Sequence, residues 1–218
     1  MNLLPKRSNA TINRPLPQAV LTPLSFSLSS AIVCSMKDER AVFDLQPHLV
    51  GELIEVRPLA ADDWEELFAV ASDPLIWEQH PARDRYREDV FREFFREALE
   101  TGSAFVVIDR KTGRIIGSSR YHLFDQQGFD RRESSVEIGW TFLARAYWGG
   151  NYNKELKRLM LDHAFRFVER VVFVIGVTNF RSQKAVEKIG GVRVGRREKV
   201  VPRGIVESFV YEIRRPKT

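Results

Sequence analysis

Two groups of residues in this chain have types and spacings suited to chemistry. The first is Gly149-Gly150-Asn151, within "YWGGNYNKELKRLML" at residues 147–161. A helical pattern begins directly after the glycines, whereas glycine more often closes a helix. At a helix front, glycines leave backbone N–H groups uncovered, where orphan donors and the helix dipole favour an anion. A tight turn for close helix–sheet packing fits the same residues equally well. The stretch lacks Gly-Lys-Ser/Thr, which excludes a nucleotide P-loop.

The second is Glu137, set among apolar residues in "SSVEIGWTFL" (134–143). A partly buried glutamate has a raised pKa and is suited to accepting a proton, directly or through water. Val136 and Ile138 take one face of the strand, so Glu137 shares the other with Gly139. A surface-facing strand glutamate paired with an arginine is the competing reading. His122 and Tyr121, on the neighbouring strand, are reserve bases. His163, on the inner side of the following helix, reads as structural. No metal-ligand spacing appears. Cys34 is the one cysteine, which excludes an internal disulfide framework and a multi-cysteine zinc site.

The surrounding pattern predicts the elements that must position these residues. "GELIEVRPL" (51–59) reads as a strand, and "ADDWEELFAVAS" as a helix with Trp64, Leu67, Phe68 and Ala71 on one side. "DRYREDVFREFFREALETG" is a second helix, with a stripe of Phe91, Phe94, Phe95, Ala98 and Leu99 and Gly102 beyond its end. Strands 104–109 and 114–124 form a hairpin, and 134–143 adds a third antiparallel strand. A helix running to about Arg170 then crosses to the apolar strand 171–178, which should lie parallel to 134–143. A short helix and a C-terminal hairpin around "PRG" close the chain. The prediction is a single α/β domain with a mixed seven-stranded sheet and about four helices, in the order β-α-α-β-β-β-α-β-α-β-β.

Residues 1–35 differ from the rest: they carry Lys6, Arg7 and Arg14, six serines, four of the ten prolines and no acid. Three readings fit: an organelle transit peptide, a poor secretory signal, or an over-extended start upstream of Met36. The expectation is a disordered leader over 1–45 and a folded domain over 46–218. Without residues 1–35, the net charge of +5 falls to +2. The densest basic cluster, "GRREK" (195–199), reads as a solvated hairpin end. No nucleic-acid or membrane partner is expected, and a cytoplasmic location fits, with organellar import if the leader is a transit peptide.

Three segments in order resemble the GNAT (GCN5-related) N-acetyltransferase superfamily, over roughly residues 51–215. "VEIGWTFLARAYWGGNYNKEL" is similar to its acyl-CoA motif. "TNFRSQKAVEKIGG" resembles the branch that acetylates ribosomal-protein N-termini, and the final hairpin resembles the family's C-terminal end. The resemblance implies an acyl-CoA-dependent N-acyltransferase, a GNAT enzyme with acetyl-CoA as cosubstrate and no metal. The acceptor would be a primary amine, on a protein N-terminus or a small molecule, attacked directly in a ternary complex. A monomer or homodimer is expected.

The resemblance also assigns roles. Gly149, Gly150, Asn151, Tyr152 and Asn153 would hold the pyrophosphate. Asn151 departs from the family's usual Gly or Ala, as an N-cap or as a direct contact. Backbone groups near Phe142 and Leu143 would pair with pantetheine, with Asn179 on the other side unless it is merely a turn residue. Val186 stands where many members have a general-acid tyrosine. Ser182 is the available hydroxyl, for a catalytic role or an ordinary first-turn position. Glu137 would accept or orient the amine. The departures keep open a second reading, a catalytically weak acyl-CoA sensor or scaffold.

Overall fold

The computed structural model describes residues 43–123, 134–201 and 204–216. The strands are β1 (Leu49–Val50), β2 (Ile54–Pro58), β3 (Ala104–Asp109), β4 (Arg114–Leu123), β5 (Ser135–Leu143), β6 (Arg170–Gly176), β7 (Val192–Val201) and β8 (Gly204–Arg214). The helices are α1 (Trp64–Ala71), α2 (Glu88–Glu100), α3 (Tyr152–Ala164) and α4 (Phe180–Glu187). The strands make one eight-stranded sheet, ordered β1-β2-β3-β4-β5-β6-β8-β7. The predicted order holds, with one strand added. Leu49 and Val50 pair with Val56 and Glu55, so the segment read as one strand from Gly51 is the end of a small hairpin.

Helices cover both faces. On α2, Phe91, Phe94, Phe95 and Ala98 are buried, and each phenylalanine contributes about 2–3 kcal/mol of transfer free energy. With Leu67 and Ala71 of α1 they pack on Val106 and Phe142. On the other face, Leu156, Met160 and Ala164 of α3 and Val186 of α4 pack on Phe105, Val107, Val136 and Ile138. α3 stops at Ala164, short of the expected Arg170, because tight turns at Arg166 and Phe167 redirect the chain into β6. Phe43 and Leu45 pack on this second core, so the packed region reaches upstream of the boundary expected at residue 46. Residues 1–42, with the leader, and the loop 124–133 lie outside the described residues. Among the described residues, no helix is long and apolar enough to cross a membrane.

Two irregularities shape the middle of the sheet. β5 and β6 run parallel, as the crossover requires, but pair only at Ser135↔Arg170, Val136↔Val171 and Glu137↔Val172. Beyond Glu137 the two strands part and leave a wedge. The β4/β5 register also shifts between Ser118 and Arg120. Beside this bulge sits Trp140 at φ 51°, the one non-glycine residue with positive φ among those described. Such a conformation costs on the order of 1–3 kcal/mol and concentrates at functional sites.

Candidate active site

The wedge mouth is formed by the turn between β5 and α3. Gly149 has φ 74°, which favours glycine, and a Cβ at Gly149 or Gly150 would meet no atom within 4 Å. The space around them is open, so close helix–sheet packing does not explain these glycines. Asn151 occupies the N-cap position, but its side chain makes no capping bond. The first-turn N–H groups of α3 are therefore left to an anion. Asn153 follows in the first turn of α3. Tyr152 turns its hydroxyl away to Asp109 Oδ1 at 3.2 Å, so only its backbone faces the mouth. The Trp148 indole donates to Leu143 O at 2.8 Å, and the Arg181 guanidinium stacks on Trp148 at 3.8 Å. Arg181 thus sets a positive charge beside the glycine turn.

Glu137 lies at the apex, where pairing ends, and is 8% exposed. A Cβ on Gly139 would come within 3.1 Å of Glu137 Oε1, so the two share a face as expected. Burial pushes the Glu137 carboxyl up to about 7, against the opposing pull of Arg197 and Lys199. His122 is register-paired with Glu137 and its ring lies 5.5 Å from Trp140. Burial, aided by Arg120, Arg197 and Lys199, holds His122 below its usual range. Tyr121 takes the opposite face and donates its hydroxyl to Met160 O at 2.6 Å, so it is a core residue and not a reserve base. His163 is structural, as read, with Nε2 2.8 Å from Asp44 O.

The α3 side of the wedge carries a group that sequence reasoning missed. Lys157 is 6% exposed and donates from Nζ to Thr141 Oγ1 at 2.6 Å, while its ammonium lies 5.5 Å from the Phe173 ring of β6. Thr141 continues to Ser119 Oγ at 2.8 Å. Burial alone pushes the Lys157 amine down to about 7. The signal was available: Lys157 falls in the helical stripe of Leu161 and Ala164.

Asn179 caps α4, with Oδ1 accepting from Ser182 N at 3.2 Å. Its role as a local cap is therefore real, and its amide nitrogen is what remains for a ligand. Ser182 sits in the first turn, partly exposed. Val186 is buried in the core and offers no proton. At the end of β5, Leu143 O is taken by Trp148 and Phe142 O lies against Gly117. The wedge-facing backbone there is consequently narrower than expected.

An acetyltransferase (GNAT) domain family matches residues 54–192, most of the described fold. This chain belongs to the GNAT acetyltransferase family. Solved GNAT structures match it along most of their length. One, a probable acetyltransferase of the GNAT family from Chromobacterium violaceum, is 22% identical, covering 92% of this chain and 97% of that one, at TM-score 0.69. A ribosomal-protein-S5-alanine acetyltransferase from Vibrio fischeri is 17% identical, covering 77% and 96%, at TM-score 0.56. RimJ from Mycobacterium smegmatis, in complex with CoA-disulfide, is 18% identical, covering 78% and 88%, at TM-score 0.57. No curated protein matches. The GNAT fold binds acetyl-CoA or coenzyme A, and the divided β5/β6 seam and the open glycine turn fit that group.

Proposed function

We propose that this GNAT chain is an N-acetyltransferase, moving an acetyl group from acetyl-CoA to a primary amine by direct attack in a ternary complex. The carrying observation is the wedge, with an uncapped helix N-terminus at its mouth and Glu137 at its apex. When bound, acetyl-CoA supplies the activated acyl group as a thioester. Gly149, Gly150 and the first-turn N–H groups from Asn151 to Asn153 hold the pyrophosphate, with Arg181 adding charge. The backbone near Phe142 and Leu143 and the Asn179 amide hold pantetheine.

Glu137 accepts the amine proton at its carboxylate, with His122 in reserve. Ser182 Oγ or Lys157 Nζ returns a proton to the departing thiolate in place of the tyrosine that Val186 replaces. The ribosomal-protein branch, and so a protein N-terminus as acceptor, is supported by the "TNFRSQKAVEKIGG" segment and by the name of the Vibrio fischeri neighbour. A monomer or homodimer in the cytoplasm, with no nucleic acid, membrane or metal, completes the reading.

Coenzyme A thiol release across a panel of amines and peptides tests it. The expected result is turnover with an added acetyl mass on the acceptor nitrogen. Acetyl-CoA binding without release for any acceptor would establish the sensor or scaffold reading, which the buried Val186 favours.

A further inference from the structure

The face of β4 and β5 that carries Glu137 also holds two arginines. Arg120 is only 4% exposed, and its Nε and Nη2 have no hydrogen-bond partner. Its guanidinium lies 5.2 Å from the Phe94 ring and 5.1 Å from that of Trp140. Arg85, from the loop before α2, reaches the same Phe94 ring at 4.4 Å and Trp77 at 5.3 Å. Among the described residues no carboxylate bonds either guanidinium. Glu97 acts on both at a distance, and Asp84 on Arg85, without contact. Burial and the charge of Arg120 push Arg85 down to about 10.

We infer that Arg120 and Arg85 form an anion subsite that receives a carboxylate carried by the acceptor amine; this rests on the acetyltransferase reading of the wedge. A buried charge left without a partner is strongly destabilising, and proteins retain such groups where a ligand completes them. Arginine presents a planar fork of donors that matches a carboxylate, and the aromatic rings hold both forks flat without competing for their N–H groups. Position selects the acceptor. Arg120 is register-paired with Gly139, and His122 with Glu137. One same-face repeat along a strand, ~6.6 Å, therefore separates Arg120 from the position opposite Glu137. A molecule with its amine at Glu137 and its carboxylate at Arg120 fits that interval. Arg197 and Lys199, whose charges also reach Glu137, make the approach positive. The bulge in β4 at Ile116, where its pairing with β3 shifts, creates the subsite, because it turns Arg120 away from the α3 face that an unbroken alternation from Ile116 would give it.

The test pairs each amino acid with its own carboxamide as acceptors for the full-length chain, with thiol release as one readout. Thermal unfolding with each compound alone, without acetyl-CoA, is the second. The expected result is that the acids are preferred at least about 100-fold in kcat/KM and alone raise the melting temperature. In Arg120→Met the preference collapses toward one, and in Arg85→Met it falls about tenfold. Arg120→Lys, which keeps charge without the fork, retains part of it. A melting shift with coenzyme A certifies that each variant is folded; an unfolded Arg120→Met leaves Arg120→Lys and Arg85→Met to decide.

Equal use of acid and amide by the wild type, with no melting shift, would overturn the subsite while leaving the acetyltransferase reading intact. So would a carboxylate preference located on the acyl donor, with succinyl-CoA favoured over acetyl-CoA. Melting shifts with the acids but no thiol release for any acceptor would support the anion subsite and sink the acetyltransferase reading instead.

Discussion

Glu137 and Lys157 sit on opposite sides of one strand, and burial brings both to about 7 from opposite directions. The carboxyl rises from below and the amine falls from above. Their settings differ. Glu137 stands at the apex, register-paired with His122 and within reach of the charges of Arg197 and Lys199, on the face turned away from α3. Lys157 lies under α3, bonded to one threonine and flanked by Phe173. Under the proposed reaction, one group would accept a proton on the amine side of the wedge and the other would carry one on the thioester side. Single titratable groups can be tuned for opposite tasks by environment alone.

Removing Glu137 should have the largest effect. Glu137→Gln should lower kcat by ~10²–10⁴-fold, the usual worth of a general base. In the wild type, the rate should fall as pH drops through about 7, where Glu137 takes up a proton. The variant should lose that limb. A full rate with the limb intact would move the base elsewhere, to His122 or to an already neutral amine.

The mouth comes next. Gly150→Asp places a carboxylate beside the expected pyrophosphate and should weaken acetyl-CoA at least about tenfold by calorimetry, or ~1.4 kcal/mol. Unchanged affinity in a folded variant would detach the phosphate from this turn.

Lys157 sharpens the comparison through stability. Its folded pKa is lowered, so the unfolded chain binds the proton first as pH falls. Stability should therefore decline from about pH 10 down to about 7 and stay low below that. Lys157→Met should raise the melting temperature at neutral pH by a few degrees and flatten this slope. If Lys157 also protonates the thiolate, the variant should lose rate with a poor thiol leaving group. A melting temperature that drops would mean that the Thr141 bond outweighs the buried charge.

Ser182→Ala should have the smallest effect, below tenfold in kcat, because water can substitute at a partly exposed first-turn position. A dead Ser182→Ala beside an active Lys157→Met would return the acid role to the serine.

The legible part of this molecule was its regular part. Val136, Glu137 and Ile138 obey strict alternation, and the carboxylate's face was readable from them. The parallel β5/β6 pair followed from the crossover. Arg120 was hidden because the bulge at Ile116 inverts the alternation of β4, and no residue type announces a bulge. Lys157 was overlooked because a lysine on a helix is usually assigned to solvent, although its spacing placed it inward. β1 escaped because two residues carry no period.

A sheet normally exposes its edges only at its two sides. This one has two more in its interior, where β5 beyond Glu137 and β6 beyond Val172 face each other without rungs. Unpaired edges invite any extended chain to add itself as a strand. Here Trp148 and Arg181 stack beside the turn into α3, and under the acetyltransferase reading what enters is slender and rich in amide groups. A free molecule should exchange the wedge-facing amides of β5 quickly with solvent. A bound pantetheine arm would act as a short ninth strand laid between them, closing the sheet and slowing that exchange.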